Sequence, residues 1–288
     1  MGSEEAIIAG CGALGLLIGS FLNVVIIRLP RNESIVRPRS HCIGCGELIR
    51  WYDNIPVLSY VVLRGKCRYC GTRFSARYAV VELLTGLLFA GLAWKMLSGG
   101  TDSISTATLA RLGVYLYLTA ALVASTFIDL EHQIIPDEIS ISGCVLAPIL
   151  SLLVPTLHGA VGRPEALGLS ILGGLTGAGG IWLVGVLGKL IFRKEAMGFG
   201  DVKLMGMIGG LLGWKGVGLT FLIGCVSGAI IGLLLLAITR SRYLPFAPYL
   251  SLGAMVIVFF GPGIEHFLGT TYPEWIRSVF FHVPASPK

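Results

Sequence analysis

Eight apolar stretches, near residues 6–27, 78–97, 109–128, 139–156, 167–191, 202–213, 217–238 and 244–262, follow one another along the chain with few charges inside them. A helix crosses ~30 Å of hydrocarbon with ~20 residues, and within lipid only helices and closed barrels satisfy their own backbone hydrogen bonds. The pattern therefore predicts an all-α polytopic membrane protein of about eight transmembrane helices. Composition agrees, since 54% hydrophobic residues, 13% charged residues and a mean hydropathy of +0.80 exceed what a water-soluble core requires. Forty glycines fit helices that approach closely where lipid supplies no hydrophobic drive for association. The run at 202–213 is too short to cross an ordinary bilayer and predicts a re-entrant or locally thinned span.

Eight spans place both termini on one side. The loop from Arg28 to Arg77 carries ten basic residues, and the later loops on its side add Lys189, Arg193, Lys194, Lys203, Arg240 and Arg242, so 16 of the 22 Lys and Arg face one way. By the positive-inside bias that way is the cytoplasm. The expected location is the bacterial inner membrane, multi-pass and surrounded by lipid, with the active site at the cytoplasmic face. The net charge of +6 is spent on topology, without the interleaved aromatics of a nucleic-acid surface, so no nucleic-acid partner is expected. The first run lacks an Ala-x-Ala cleavage site and is expected to stay as a span. The organisation expected is a first helix over 1–27, a cytoplasmic four-cysteine loop over 28–77, a transmembrane core over 78–263 and an outer-face tail over 264–288.

Four of the seven cysteines form two Cys-x-x-Cys pairs, Cys42 with Cys45 and Cys67 with Cys70, separated by 21 residues. That spacing suits one tetrahedral metal, zinc above all, and Gly44, Gly46 and Gly71 permit the tight turns such a site needs. Two disulfides or unligated thiols are the other readings, and a reducing cytoplasm disfavours the disulfides. No catalytic His or carboxylate is read as positioned among the four thiols, so the metal is expected to be structural. Cys11, Cys144 and Cys225 lie singly in apolar spans as small hydrophobes.

Carboxylates at a membrane boundary are costly and need an account. Asp129 closes the third span and Asp201 opens the short sixth, so the topology brings both to one membrane level although they are 72 residues apart. Two carboxylates within hydrogen-bonding distance share a proton, one activating water while the other donates to a carbonyl, which is aspartic-protease chemistry. Gly198 and Gly200 keep the approach to Asp201 free of side chains. Helix capping is the plainer reading, apt for Asp201 at a helix N-terminus and inapt for Asp129 at a C-terminus. Glu131, His132, Asp137 and Glu138 read as solvated loop residues.

Several motifs in order then carry a resemblance: Gly19-Ser20-Phe21-Leu22-Asn23 with Arg28-Leu29-Pro30; Trp51 to Tyr60 running on to Arg64-Gly65-Lys66-Cys67; Val81-Glu82-Leu83-Leu84-Thr85-Gly86; Ile128-Asp129 with Pro136-Asp137; Met197 to Leu204; and Pro245-Phe246-Ala247-Pro248. Together they resemble the type IV prepilin peptidase family in its bifunctional, four-cysteine form. The resemblance implies an endopeptidase that removes the basic leader of prepilins and pseudopilins after Gly, in pilus or type II secretion systems, with Asp129 and Asp201 matching the catalytic aspartates. It also implies N-methylation of the new N-terminal residue, with S-adenosylmethionine as methyl donor. No nucleotide-binding glycine fingerprint is visible, so the donor site has to be built from the loop and helices. Asn23 and Glu82, polar residues in the first two spans, are candidates to hold donor or substrate, with a mutual interhelical hydrogen bond as the plainer alternative.

Two other readings compete. A proton-coupled transporter would also use membrane carboxylates and glycine-rich broken helices, but it would want internal repeats that the halves lack. A membrane-anchored zinc-ribbon module would leave the aspartates incidental.

Overall fold

The computed structural model describes residues 2–98, 104–193, 197–239, 245–267 and 270. Its main elements are helices α1 (Ser3–Arg28), α2 (Leu58–Val62), α3 (Arg77–Leu97), α4 (Thr106–His132), α5 (Asp137–Leu153), α6 (Arg163–Phe192), α7 (Phe199–Thr239) and α8 (Ala247–His266), with no strand among the described residues. Six helices, α1, α3, α4, α6, α7 and α8, are long and apolar enough to cross a membrane. The eight apolar runs map onto these six helices together with α5. The run at 139–156 becomes α5, of 17 residues, and the runs at 202–213 and 217–238 become the two arms of α7. Almost all of the expected 264–288 tail lies outside the described residues.

The arms of α7 meet at Gly213, whose φ of 74° and ψ of 170° are conformations open to glycine and hardly to other residues. An unbroken helix would separate residues 209 and 217 by ~12 Å. Instead a Val217 methyl lies 2.7 Å from where a Cβ on Gly209 would stand, so the chain turns back on itself. Breaking the helix strands carbonyls, and the Gly210 carbonyl accepts the Ser170 hydroxyl at 2.7 Å together with a bond from the His158 ring.

Glycine rows set the closest helix contacts. On α1, Gly15 and Gly19 press against the α3 backbone, where an added Cβ would come within 2.7 Å of Thr85 and Glu82. On α6, Gly173 faces the Gly209 carbonyl of α7. These are small-xxx-small interfaces, in which backbone approach replaces hydrophobic drive. The largest apolar cluster joins α4, α5, α7 and α8 through Leu118, Leu122, Met205, Ile208, Leu211 and Leu250.

Two ion pairs align the helix ends that matter. Arg77 at the start of α3 pairs with Glu131 in the last turn of α4, and Asp137 at the start of α5 pairs with Lys203 in the first turns of α7. The cysteine loop, the end of α4 and the start of α7 therefore share one end of the bundle. Glu131 and Asp137, expected as solvated loop residues, are helical and ion-paired.

Candidate active site and metal-binding loop

Asp129 lies in the last turn of α4 and Asp201 in the first turn of α7; both are buried, at 6% and 9% exposure, and they lie within electrostatic reach of each other. Asp129 Oδ2 accepts the Ala247 backbone N–H at 3.0 Å. Asp129 ends its own helix, which makes capping there inapt, yet its carboxylate accepts a buried amide at the start of a different helix, α8, whose Pro248 leaves an amide-poor first turn. Asp201 stands at the positive end of α7. Gly200 backs onto Ile135, where a Cβ would come within 3.0 Å, so its small size serves packing between segments. Gly198 is exposed, and a Cβ there would lie nearest the Asp201 carboxylate, at 3.4 Å.

Across the same end of the molecule the loop folds into two copies of one turn. Cys42 N–H donates to the Glu47 carbonyl and Cys67 N–H to the Thr72 carbonyl, both at 2.8 Å, while the Gly46 and Gly71 amides return to the Cys42 and Cys67 carbonyls. Gly46 and Gly71 hold φ of 74° and 73°, and single antiparallel bridges, His41 with Leu48 and Lys66 with Arg73, close the two turns. The turns aim all four sulfurs at one point, within 4.8 Å of one another, with Cys42 and Cys70 at 3.7 Å. A tetrahedral zinc with ~2.3 Å bonds sets its sulfurs ~3.8 Å apart. The four-thiol group is thus shaped for a metal ion. Cys70 is lowered to about 6 by the Thr72 hydroxyl and backbone, which favour the thiolate a metal needs. Around it Asp53 takes a two-pronged bond from Arg68, which holds its carboxyl below the ordinary range, while Arg50 donates to the Tyr52 hydroxyl at 2.6 Å and the Arg68 guanidinium lies 5.6 Å from the Tyr52 ring centre.

Between the loop, α1, α3 and the end of α4 lies a cavity of about 460 Å³. Asn23 and Glu82 both line it, and the hydrogen bond expected between them is not what orients them. Asn23 Nδ2 donates to the Tyr78 carbonyl at 3.0 Å and the Gly19 carbonyl at 3.3 Å, whereas Glu82 Oε2 accepts the Val57 amide at 2.7 Å. Val57 has φ of 61°, a costly conformation for a β-branched residue, so a membrane carboxylate holds a strained point of the loop. Sequence reasoning missed the Ala247 and Val57 amides. The prolines at 245, 248 and 56 mark chain turns there, but an amide carries no side-chain signature.

The fold and its site define a polytopic helical membrane protein with two buried carboxylates and a four-thiol loop at one end. Residues 13–96 match the bacterial peptidase A24 N-terminal domain, and residues 115–233 match the type IV leader peptidase family. A protein of Pseudomonas putida named prepilin leader peptidase/N-methyltransferase is 36% identical over 276 residues, covering 87% of this chain and 90% of that protein. Proteins of the same name are 35% identical in Pseudomonas aeruginosa, over 87% of this chain and 89% of theirs, and 38% identical in Myxococcus xanthus, over 78% and 62%. The match thus spans less than two thirds of the Myxococcus protein. No solved structure matches the chain significantly. The chain belongs to the type IV leader peptidase family, in its prepilin leader peptidase/N-methyltransferase branch, and these comparisons give the transporter reading no support.

Proposed function

We propose that this chain is an aspartic endopeptidase of the bacterial inner membrane that removes the basic leader of type IV prepilins and pseudopilins after Gly, on the cytoplasmic side, and N-methylates the residue so exposed. The observation that carries the peptidase reading is the burial of Asp129 and Asp201 at one end of the bundle within electrostatic reach. Two buried like charges that feel each other do not both ionise cheaply, so the pair is read as holding one proton. The Ala247 amide and the α8 N-terminus favour negative charge on Asp129 Oδ2. Asp129 then takes a proton from water while Asp201 donates one to the scissile carbonyl. Exposed Gly198 leaves room for an extended peptide beside Asp201.

Cys42, Cys45, Cys67 and Cys70 would hold a structural zinc with all four ligand positions filled by sulfur, and its chemistry would be limited to cross-linking the two turns. The methyl donor, S-adenosylmethionine, supplies an electrophilic methyl group, and the cavity beneath the loop has the volume and mixed lining to accept it. Arg28, Arg31 and Lys66 at its walls offer partners for a carboxylate. The basic loops support a cytoplasmic position for this end of the molecule, and the exposed apolar faces of α1, α6 and α7 suit contact with lipid. The test is co-expression with a prepilin: Asp129→Asn or Asp201→Asn should abolish leader removal, and wild-type processing by either variant would overturn the assignment.

A further inference from the structure

The cavity below the loop holds two buried polar atoms of opposite kind that the protein leaves without partners: Asn23 Oδ1, an acceptor, and Arg77 Nε, a donor. Asn23 is 3% exposed, and because its Nδ2 is committed to the Tyr78 and Gly19 carbonyls, the unpartnered atom is its oxygen. An orphaned buried acceptor costs about 1–3 kcal/mol, a cost that a ligand N–H would remove. Glu82, also lining the cavity, accepts from Val57 at Oε2 and from the Ser20 hydroxyl, which together occupy about two of the roughly four acceptor positions of a carboxylate. Asn23 lies five residues inside the end of α1 and Glu82 five residues inside the start of α3, so both stand ~7.5 Å below the helix ends, at the cavity floor. Arg77, at the start of α3, stands above them.

We propose that this floor is a receptor for a primary α-ammonium group: Asn23 Oδ1 and the Glu82 carboxylate accept its N–H bonds, and Arg77 Nε donates to the carbonyl or carboxylate oxygen one carbon away. The inference rests on the proposed methylation and adds to it the ligand chemistry of a particular set of side chains. An α-ammonium beside a carbonyl oxygen has two sources in that reaction. One is the N-terminus of the cleaved pilin, the methyl acceptor; the other is the amino-acid end of the donor. An acceptor pair at this depth suits an ammonium group that leaves water. Where that group is the methyl acceptor, one of its protons has to pass to a base such as the Glu82 carboxylate before the freed lone pair can attack. The adjoining groove along α1, lined by Leu17, Phe21 and Val24, gives an apolar first residue a neighbouring surface.

The experiment is calorimetric binding to the detergent-purified full chain with two matched pairs of probes. A peptide with the mature pilin N-terminus is compared with its N-acetylated form, and S-adenosylhomocysteine with 5′-methylthioadenosine, which lacks the amino-acid end. In the parent, at least one ammonium-bearing probe is expected to bind about 10-fold more tightly than its partner, the scale of one charged hydrogen bond. Asn23→Leu and Glu82→Gln should each erase that gap, with melting temperature and bound metal reporting that the variants fold. Loss in the peptide pair assigns the floor to the pilin N-terminus, and loss in the nucleoside pair assigns it to the donor. Absence of a gap in both parent pairs, a measurement that needs no variant, overturns the proposal, as does a gap that survives both substitutions. Prepilin cleavage and methylation by the parent test the underlying function separately.

Discussion

Replacing Asp129 separates the chemical from the structural use of one carboxylate. Asp129→Asn keeps an oxygen to accept the Ala247 amide, now as a neutral hydrogen bond of about 0.5–1.5 kcal/mol in place of a charge-assisted one of about 1.5–3 kcal/mol. The expected loss of stability is therefore about 1–2 kcal/mol, a fall in melting temperature of roughly a few degrees. Asp129→Leu removes the acceptor and leaves the amide buried and unpaired, at a cost of about 1–3 kcal/mol for that group alone. Both variants lose the proton acceptor, and one general acid–base group is worth about 10²- to 10⁴-fold in rate. In detergent-solubilised protein, single-turnover cleavage of a prepilin should fall by at least about 100-fold in both variants, while the Leu variant melts below the Asn variant. Cleavage by Asp129→Asn within about 3-fold of the parent would refute the catalytic argument. Equal melting of the two variants would refute the capping argument and leave the catalytic one standing.

Other consequences can be checked on the same preparation. Purified protein should contain about one zinc per chain, lost in the Cys42→Ser, Cys67→Ser double variant; retained metal would mean other ligands hold it. Chelation should increase proteolysis within 33–76 and leave the helices intact by circular dichroism. His158, half-buried at the α7 turn, is held below its ordinary pKa by burial, so its contribution to stability is present above about pH 6.5 and lost as pH falls. Melting temperature should accordingly drop between pH 7 and 5.5 in the parent, and less so in His158→Gln. Gly173→Leu would drive a side chain into the Gly209 carbonyl and should lower the yield of folded protein sharply; a normal yield and melting temperature would dispute the tight α6–α7 contact.

The helical membrane architecture was legible because lipid leaves the backbone few alternatives, and hydropathy reports that constraint directly. The metal loop was legible for a similar reason, since Cys-x-x-Cys-Gly encodes both the ligands and the positive-φ turn at Gly46 and Gly71. The placement of Asp129 and Asp201 at one end followed from counting spans. Their surroundings did not: the Ala247 amide reaches Asp129 across 118 residues, and nothing in either segment's periodicity signals it. Likewise the orientation of Asn23 and Glu82 is decided by Tyr78 and Val57, whose backbone groups carry no side-chain information. The break at Gly213 was legible as the gap between the runs 202–213 and 217–238, whereas the positive φ that makes the turn was not, because hydropathy registers apolar length and is blind to direction.

The inward arm of α7, from Phe199 to Leu212, has 14 residues and reaches only ~21 Å before Gly213 turns it back, against ~30 Å of hydrocarbon. Residues 204–211 of this arm are all buried, and Met205, Ile208 and Leu211 sit within the largest apolar cluster, so the short arm meets protein on its flanks where a longer one would meet lipid. Its missing length is thereby hidden from the acyl chains by the neighbouring helices. Reconstitution in bilayers of shorter or longer acyl chains should leave melting temperature and turnover unchanged by this arm, and a clear rise of both in thin bilayers would show that lipid reaches it.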